Sequence, residues 1–147
     1  MKAADILKKK GSGVITINSH NTVYEALGNM IDNKVGSLVV VDSDSSPIGI
    51  ITERDITRFV YSKANNDWLK TIVVEVMTEN IVVGIPDDGL DYIMALMTQN
   101  RFRHVPIVED GKLAGLVSIG DVVKAHLKNV EAENRYLSDY ITGKYPA

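Results

Sequence analysis

Read for its apolar and polar positions, the chain falls into short elements that occur twice. The first set opens with a β-prone run, Val14-Ile15-Thr16-Ile17. Asn21 or Thr22 then offers an N-cap for a helix with Val23, Ala26, Leu27, Met30 and Ile31 at helical spacing. Residues 37–41 are a continuous apolar strand, 42–47 are turn chemistry, and 48–51 return as the hairpin partner. Thr52 opens a second helix with Ile56, Phe59 and Val60 inward. Ahead of all this, residues 1–10 read as a short amphipathic helix stopped by Gly11-Ser12-Gly13.

A polar stretch, 62–70, carries the one tryptophan, Trp68, and reads as a linker. Residues 73–77 begin the second set, and 81–83 form its first strand. Pro86-Asp87-Asp88 starts a helix with Leu90, Ile93, Met94 and Met97 inward. Residues 104–108 and 113–117 form a hairpin around Asp110-Gly111, a strong two-strand signal. Ser118 opens the last long helix, with Val123, Leu127 and Val130 on one seam.

The two sets are in register. Gly49-Ile50-Ile51-Thr52-Glu53-Arg54-Asp55 is echoed by Gly115-Leu116-Val117-Ser118-Ile119-Gly120-Asp121, 66 positions later (115 − 49, 118 − 52, 121 − 55). Upstream the offset is 67, and the turn at 42–47, one residue longer than its counterpart, absorbs the difference. The chain is therefore a tandem duplication of a β-α-β-β-α unit. The expected fold class is α+β, with the two repeats related by a pseudo-twofold axis and their sheets packed face to face. The expected division is a lead-in over 1–13, repeats over 14–62 and 76–128, a linker over 63–75, and a helical extension and tail over 129–147.

Composition narrows the function. A chain of 147 residues, 45% apolar and 24% charged, can bury a core, and its net charge of −3 argues against a generic nucleic-acid binder. Without cysteine there is no disulfide, thiolate catalysis or sulfur-ligated metal. No apolar run reaches the roughly 18 residues of a spanning helix, and 1–13 lack the apolar core of a secretory signal, so a cytoplasmic protein is expected. The methionines read as core fillers, His20 and His126 as solvent-exposed, and Asp42, Asp44, Asp87 and Asp88 as turn carboxylates. No base stands beside a nucleophile, so no enzyme is expected.

The paired hydroxyl-x-x-Asp motifs admit two readings. As capping boxes, Thr52 and Ser118 cap the N3 amides while Asp55 and Asp121 sit in the first helical turn. As a binding site, the same helix end offers free N–H groups to an anion, and the aspartate can accept hydrogen bonds from both ribose hydroxyls. The apolar sheet face beside it would hold a purine.

The duplicated unit with its two Gly-h-h-[Ser/Thr]-x-x-Asp motifs resembles the cystathionine-β-synthase (CBS) domain pair, over about residues 14–128. Arg101-Phe102-Arg103-His104-Val105-Pro106 is similar to the basic strand entry of that family's second domain. The resemblance implies an adenosine ligand between the repeats: AMP first, with ADP, ATP, NAD and S-adenosylmethionine as alternatives. It also implies a homodimer. It suggests one cleft built from Ile50, Thr52 and Asp55, with Arg103, His104 and Pro106 reaching across. The other would use Leu116, Ser118 and Asp121 with Val35, Gly36, Ser37 and Thr16. A basic residue before the motif aspartate serves the opposite cleft in that family. Arg54 holds that place while its counterpart is Gly120, so the second cleft is the expected nucleotide site, and Glu53 adds negative charge near the first. Function is then that of a sensor read by a protein partner. The alternative is a ligand-free interaction module, and a nucleic-acid role for the 101–104 stretch comes last.

Overall fold

A computed structural model describes residues 1–11, 13–62, 67 and 69–142; the linker residues 63–66 and Trp68 lie outside them. In chain order come α1 (Ala3–Lys10), β1 (Thr16–Asn18), α2 (Val23–Asn33), β2 (Ser37–Val41), β3 (Pro47–Thr52) and α3 (Glu53–Ser62). A short 3-10 turn (Val73–Glu75) precedes α4 (Leu90–Asn100), β4 (His104–Glu109), β5 (Lys112–Ser118) and α5 (Ile119–Ile141).

β1 runs parallel to β2, which pairs antiparallel with β3. β4 and β5 form an antiparallel hairpin. Its turn residues Asp110 and Gly111 both take positive φ, as a two-residue turn matched to strand twist requires. Thr22 caps α2 by accepting from the Glu25 amide at 3.1 Å.

The strand expected at 81–83 is reduced to one parallel bridge, Gly84 to Ile107. In the first repeat the Val39 amide donates to the Ile15 carbonyl and extends β1 backwards. The position 67 residues later is Pro106, which has no N–H to donate. The second repeat therefore loses that rung and its first strand.

Each repeat's core is closed by the segment that leads into the other. Ala3 and Ile6 of α1 are buried with Leu90, Ile93, Met97, Val105, Ile107, Val117 and Val122. Val73, which heads the second repeat in sequence, packs instead among Ile17, Val23, Met30, Leu38 and Ile51 of the first, with Val76 and Met77 beside it. The backbone bonds repeat the exchange: Ala3 N to Asp88 O and Leu90 N to Met1 O match Val73 N to Asn21 O and Val23 N to Thr71 O.

Several positions expected to face inward do not. Ile31 is 72% exposed and Val60 40%, while Phe59 is half-buried. The inward stripe of α2 is Val23, Ala26 and Met30, which leaves Ile31 turned off it. On α5 the buried residues are Val122 and Ala125, so the Val123, Leu127, Val130 seam lies on the outside. That helix packs on β5 and on α4.

Candidate functional site

Both strand-to-helix junctions carry complete capping boxes. The Thr52 amide donates to Asp55 Oδ2 at 3.0 Å, and the Asp55 amide donates to Thr52 Oγ1 at 3.1 Å. The Ser118 amide donates to Asp121 Oδ2 at 2.8 Å, and the Asp121 amide to Ser118 Oγ at 3.2 Å. The first helical amides are also occupied: Glu53 N by the Gly36 carbonyl and Ile119 N by the Arg103 carbonyl. The helix ends thus offer an anion fewer free amides than the sequence suggests.

Beyond the caps the junctions differ. Thr78 Oγ1 lies 3.2 Å from Asp55 Oδ1, a neutral donor that leaves the carboxylate its charge and open lone pairs. Asp55 lines a cavity of about 480 Å³ together with Ile50, Thr52, Thr78, Ile81, Phe102 and His104. This volume falls within the roughly 300–1,000 Å³ of small-molecule sites. Arg54, Arg58, Arg101 and Arg103 line the same cavity, four of the five arginines in the chain. Among the described residues no acidic group pairs with any of the four. With Glu53 and Asp55 as the acidic members, the lining carries a net +2 (4 − 2), against −3 for the chain.

At the second junction Lys10 of α1 takes the place of Thr78. Its Nζ donates to Asp121 Oδ2 and to the Leu116 carbonyl, both at 2.7 Å. Burial would raise the Asp121 carboxyl, but hydrogen bonds from Lys10 and Ser118 outweigh it and hold the group below its ordinary value. The second cleft is a smaller cavity of about 290 Å³, lined by Val35, Gly36, Ser37, Leu116, Ser118 and Lys10 among others. Asp121 does not reach it. Its carboxylate faces a separate hollow of about 240 Å³ between α1 and α5, with Lys9, Lys124 and Lys128.

The expected site residues are distributed accordingly. Ile50, Thr52, Asp55, Arg103 and His104 come together in the first cleft. β4 begins at His104, so Arg103 precedes the strand and both side chains line one cavity. Val35, Gly36, Ser37, Leu116 and Ser118 meet in the second cleft. Arg54, expected to serve the second cleft, lines the first, which reverses the argument that favoured the second. Thr16 is exposed on β1 and lines neither cleft. Pro106 is fully buried and lines neither; its part is in ending the sheet. His104 and Gly36 border both clefts. Burial, then the charges of Lys10 and Arg103, lower the His104 pKa against the pull of Asp121, which favours the neutral ring.

Sequence reading missed Arg58, Arg101, Thr78 and Lys10. Arg58 was findable, one helical turn beyond Arg54 and so on the same face. Arg101 sits in the left-handed C-cap of α4 with φ 57°, a bend that periodicity does not reveal. Thr78 and Lys10 reach their partners through the exchange of lead segments, and no local pattern announces that.

A duplicated β-α-β-β-α unit with paired motif aspartates at its inner junctions defines a CBS-type pair. The CBS domain family matches residues 3–62 and 73–128, and the chain belongs to that family. It is 36% identical over 150 residues to the CBS domain-containing protein CBSX3, mitochondrial, of Arabidopsis thaliana, covering 97% of this chain and 72% of that protein. The crystal structure of the CBS-domain containing protein ATU1752 from Agrobacterium tumefaciens superposes with a TM-score of 0.78 at 41% identity, over 85% of this chain and 92% of that one. The CBS domain pair of protein MJ0100, solved with 5-methylthioadenosine and S-adenosyl-L-methionine, gives a TM-score of 0.76 at 25% identity, over 88% and 98%. No helix among the described residues is long and apolar enough to cross a membrane.

Proposed function

We propose that the protein is a regulatory module that binds an adenine nucleotide in the first cleft and signals to a protein partner through the packing of its repeats. The observation that carries this is the set of four arginines, none paired with an acidic group among the described residues, around one cavity that Asp55 also lines. Guanidinium forks match phosphate oxygens, and a first-turn carboxylate matches ribose hydroxyls. The adenosine compounds bound by the MJ0100 pair support the ligand class. The arginines select within it: AMP, ADP, ATP or NAD brings phosphate, whereas the S-adenosylmethionine sulfonium brings positive charge to a lining already at +2. A ligand held by both repeats shifts their arrangement only through its differential affinity for the two states.

Thermal melts with AMP, ATP, NAD and S-adenosylmethionine test the reading. A nucleotide at about 100 times its dissociation constant adds about 2.7 kcal/mol of stability. S-adenosylmethionine gives the smallest shift of the four. The second reading, a ligand-free interaction module, is favoured by the capping boxes, which are complete without a ligand. It would replace the first if none of the four moved the melt at millimolar concentration.

The proposed assembly is a homodimer. Val123, Leu127, Val130 and Leu137 of α5 are all exposed, between 37% and 55%. An apolar seam of this length favours cover by a second copy. Sedimentation at micromolar concentration should show a dimer that Leu127→Asp converts to monomer; a wild-type monomer would refute this arrangement.

A further inference from the structure

The two halves of the duplication are chemically alike at their motifs and unlike at what meets them. Across the first junction Thr78 bridges to β3 by backbone, its amide donating to the Ile50 carbonyl at 2.9 Å, and its hydroxyl meets Asp55. At the second junction the carbonyl in the equivalent place, Leu116 (116 − 50 = 66), accepts from the Lys10 ammonium instead. The same ammonium meets Asp121. One cation thus holds both groups, the carbonyl at the strand and the carboxylate at the helix head.

Its placement is fixed by the fold. Ala3 and Ile6 bury α1 in the second repeat's core, with Leu7 packed against that core. Lys10 is one turn beyond Ile6 and Leu7 on the same face, so the stem that leaves the core ends over Asp121. The Lys10 side chain is 37% exposed and that of Asp121 20%, so the pair is partly shielded. Lys10 borders both the second cleft and the hollow behind it, whereas Asp121 borders only the hollow. The lysine stands between the carboxylate and the cleft.

We propose that Lys10 is an internal occupant of the second cleft, which closes that cleft to nucleosides and makes the duplicated module a one-nucleotide binder. The inference rests on the nucleotide reading of the clefts and adds what decides their number. A ligand entering the second cleft has to break two charge-assisted bonds and desolvate Asp121 afresh before its ribose gains anything. At the first cleft, among the described residues, Asp55 accepts from neutral donors alone, the Thr52 amide and the Thr78 hydroxyl, and no cation has to be displaced.

Calorimetric titration of AMP into the full-length protein and its variants tests this. Wild type should bind one equivalent. Lys10→Met keeps the stem without the charge and should bind two, the second-cleft affinity rising by about tenfold or more, as loss of a charged competitor implies. Lys10→Arg keeps a cation and should remain at one. Adding Asp121→Ala to Lys10→Met should return the stoichiometry to one. Far-UV circular dichroism of each variant checks that α1 still packs. Two equivalents of similar affinity in wild type, or one equivalent in a folded Lys10→Met, would overturn the occupant role and leave the nucleotide function standing. A second-cleft affinity that falls in Lys10→Met would also overturn it, because Lys10 would then recruit the ligand. No heat from wild type or Lys10→Met would overturn the nucleotide reading itself, and this inference with it.

Discussion

Asp55→Ala is expected to melt at the same temperature with and without AMP, although wild type gains stability from the nucleotide. The carboxylate lines the larger of the two clefts and, among the described residues, accepts from the Thr52 amide and the Thr78 hydroxyl alone, so it has acceptor capacity left for two ribose hydroxyls. Hydrogen bonds to a charged group are worth about 1.5–3 kcal/mol each, so losing two lowers affinity on the order of 100-fold or more. Without ligand the variant loses the bond from the Thr52 amide and that from the Thr78 hydroxyl, and should be destabilised by about 1–2 kcal/mol. Asp121→Ala serves as the control. Its carboxylate lies behind Lys10 and outside the cleft, so AMP should stabilise that variant much as it does wild type. Calorimetry on the two variants separates the clefts directly. An Asp55→Ala protein that binds AMP as tightly as wild type would remove the first cleft from consideration.

The contrast between these two aspartates also shows how far residues alone could be read. The motifs, the paired helices and the hairpins follow from local rules of spacing and turn chemistry, and the structure has them where the pattern puts them. Which aspartate faces an open cavity does not follow from local rules. It depends on Lys10, which lies 111 residues from Asp121, and that contact exists because α1 packs on the far repeat rather than its own. The same exchange places Val73 in the first core. Arg54 misled for a related reason: its register beside Asp55 is plain, but the direction of its side chain is a property of how the two halves meet. The missing strand at 81–83 is different. Pro106 was in plain view, and its lack of an N–H was the signal.

The motif glycine Gly49 lies buried inside β3 with ordinary backbone geometry, so no turn requires it. A Cβ there would stand 2.7 Å from Met77 Sδ and 2.8 Å from the Thr78 carbonyl oxygen. Met77 could swing aside, but the carbonyl cannot: Thr78 is tied to Ile50 by bonds of 3.1 Å and 2.9 Å in the two directions. Gly49→Ala must therefore push the 76–78 segment off the sheet. Overpacking of this kind costs about 1–3 kcal/mol, and for a chain of this size each kilocalorie lowers the melting temperature by about 2–4 °C. Displacing Thr78 also removes its hydroxyl from Asp55, so AMP binding should weaken along with stability. At Gly115, the position 66 residues on, the three atoms nearest to a Cβ would all belong to the Leu7 side chain. Gly115→Ala should cost less, because the flexible Leu7 side chain can turn aside where a bridged carbonyl cannot. Denaturant midpoints for the two alanine variants give the comparison. Equal losses at both glycines, or none at Gly49, would show that the close approach of backbone to β3 is not what that glycine is for.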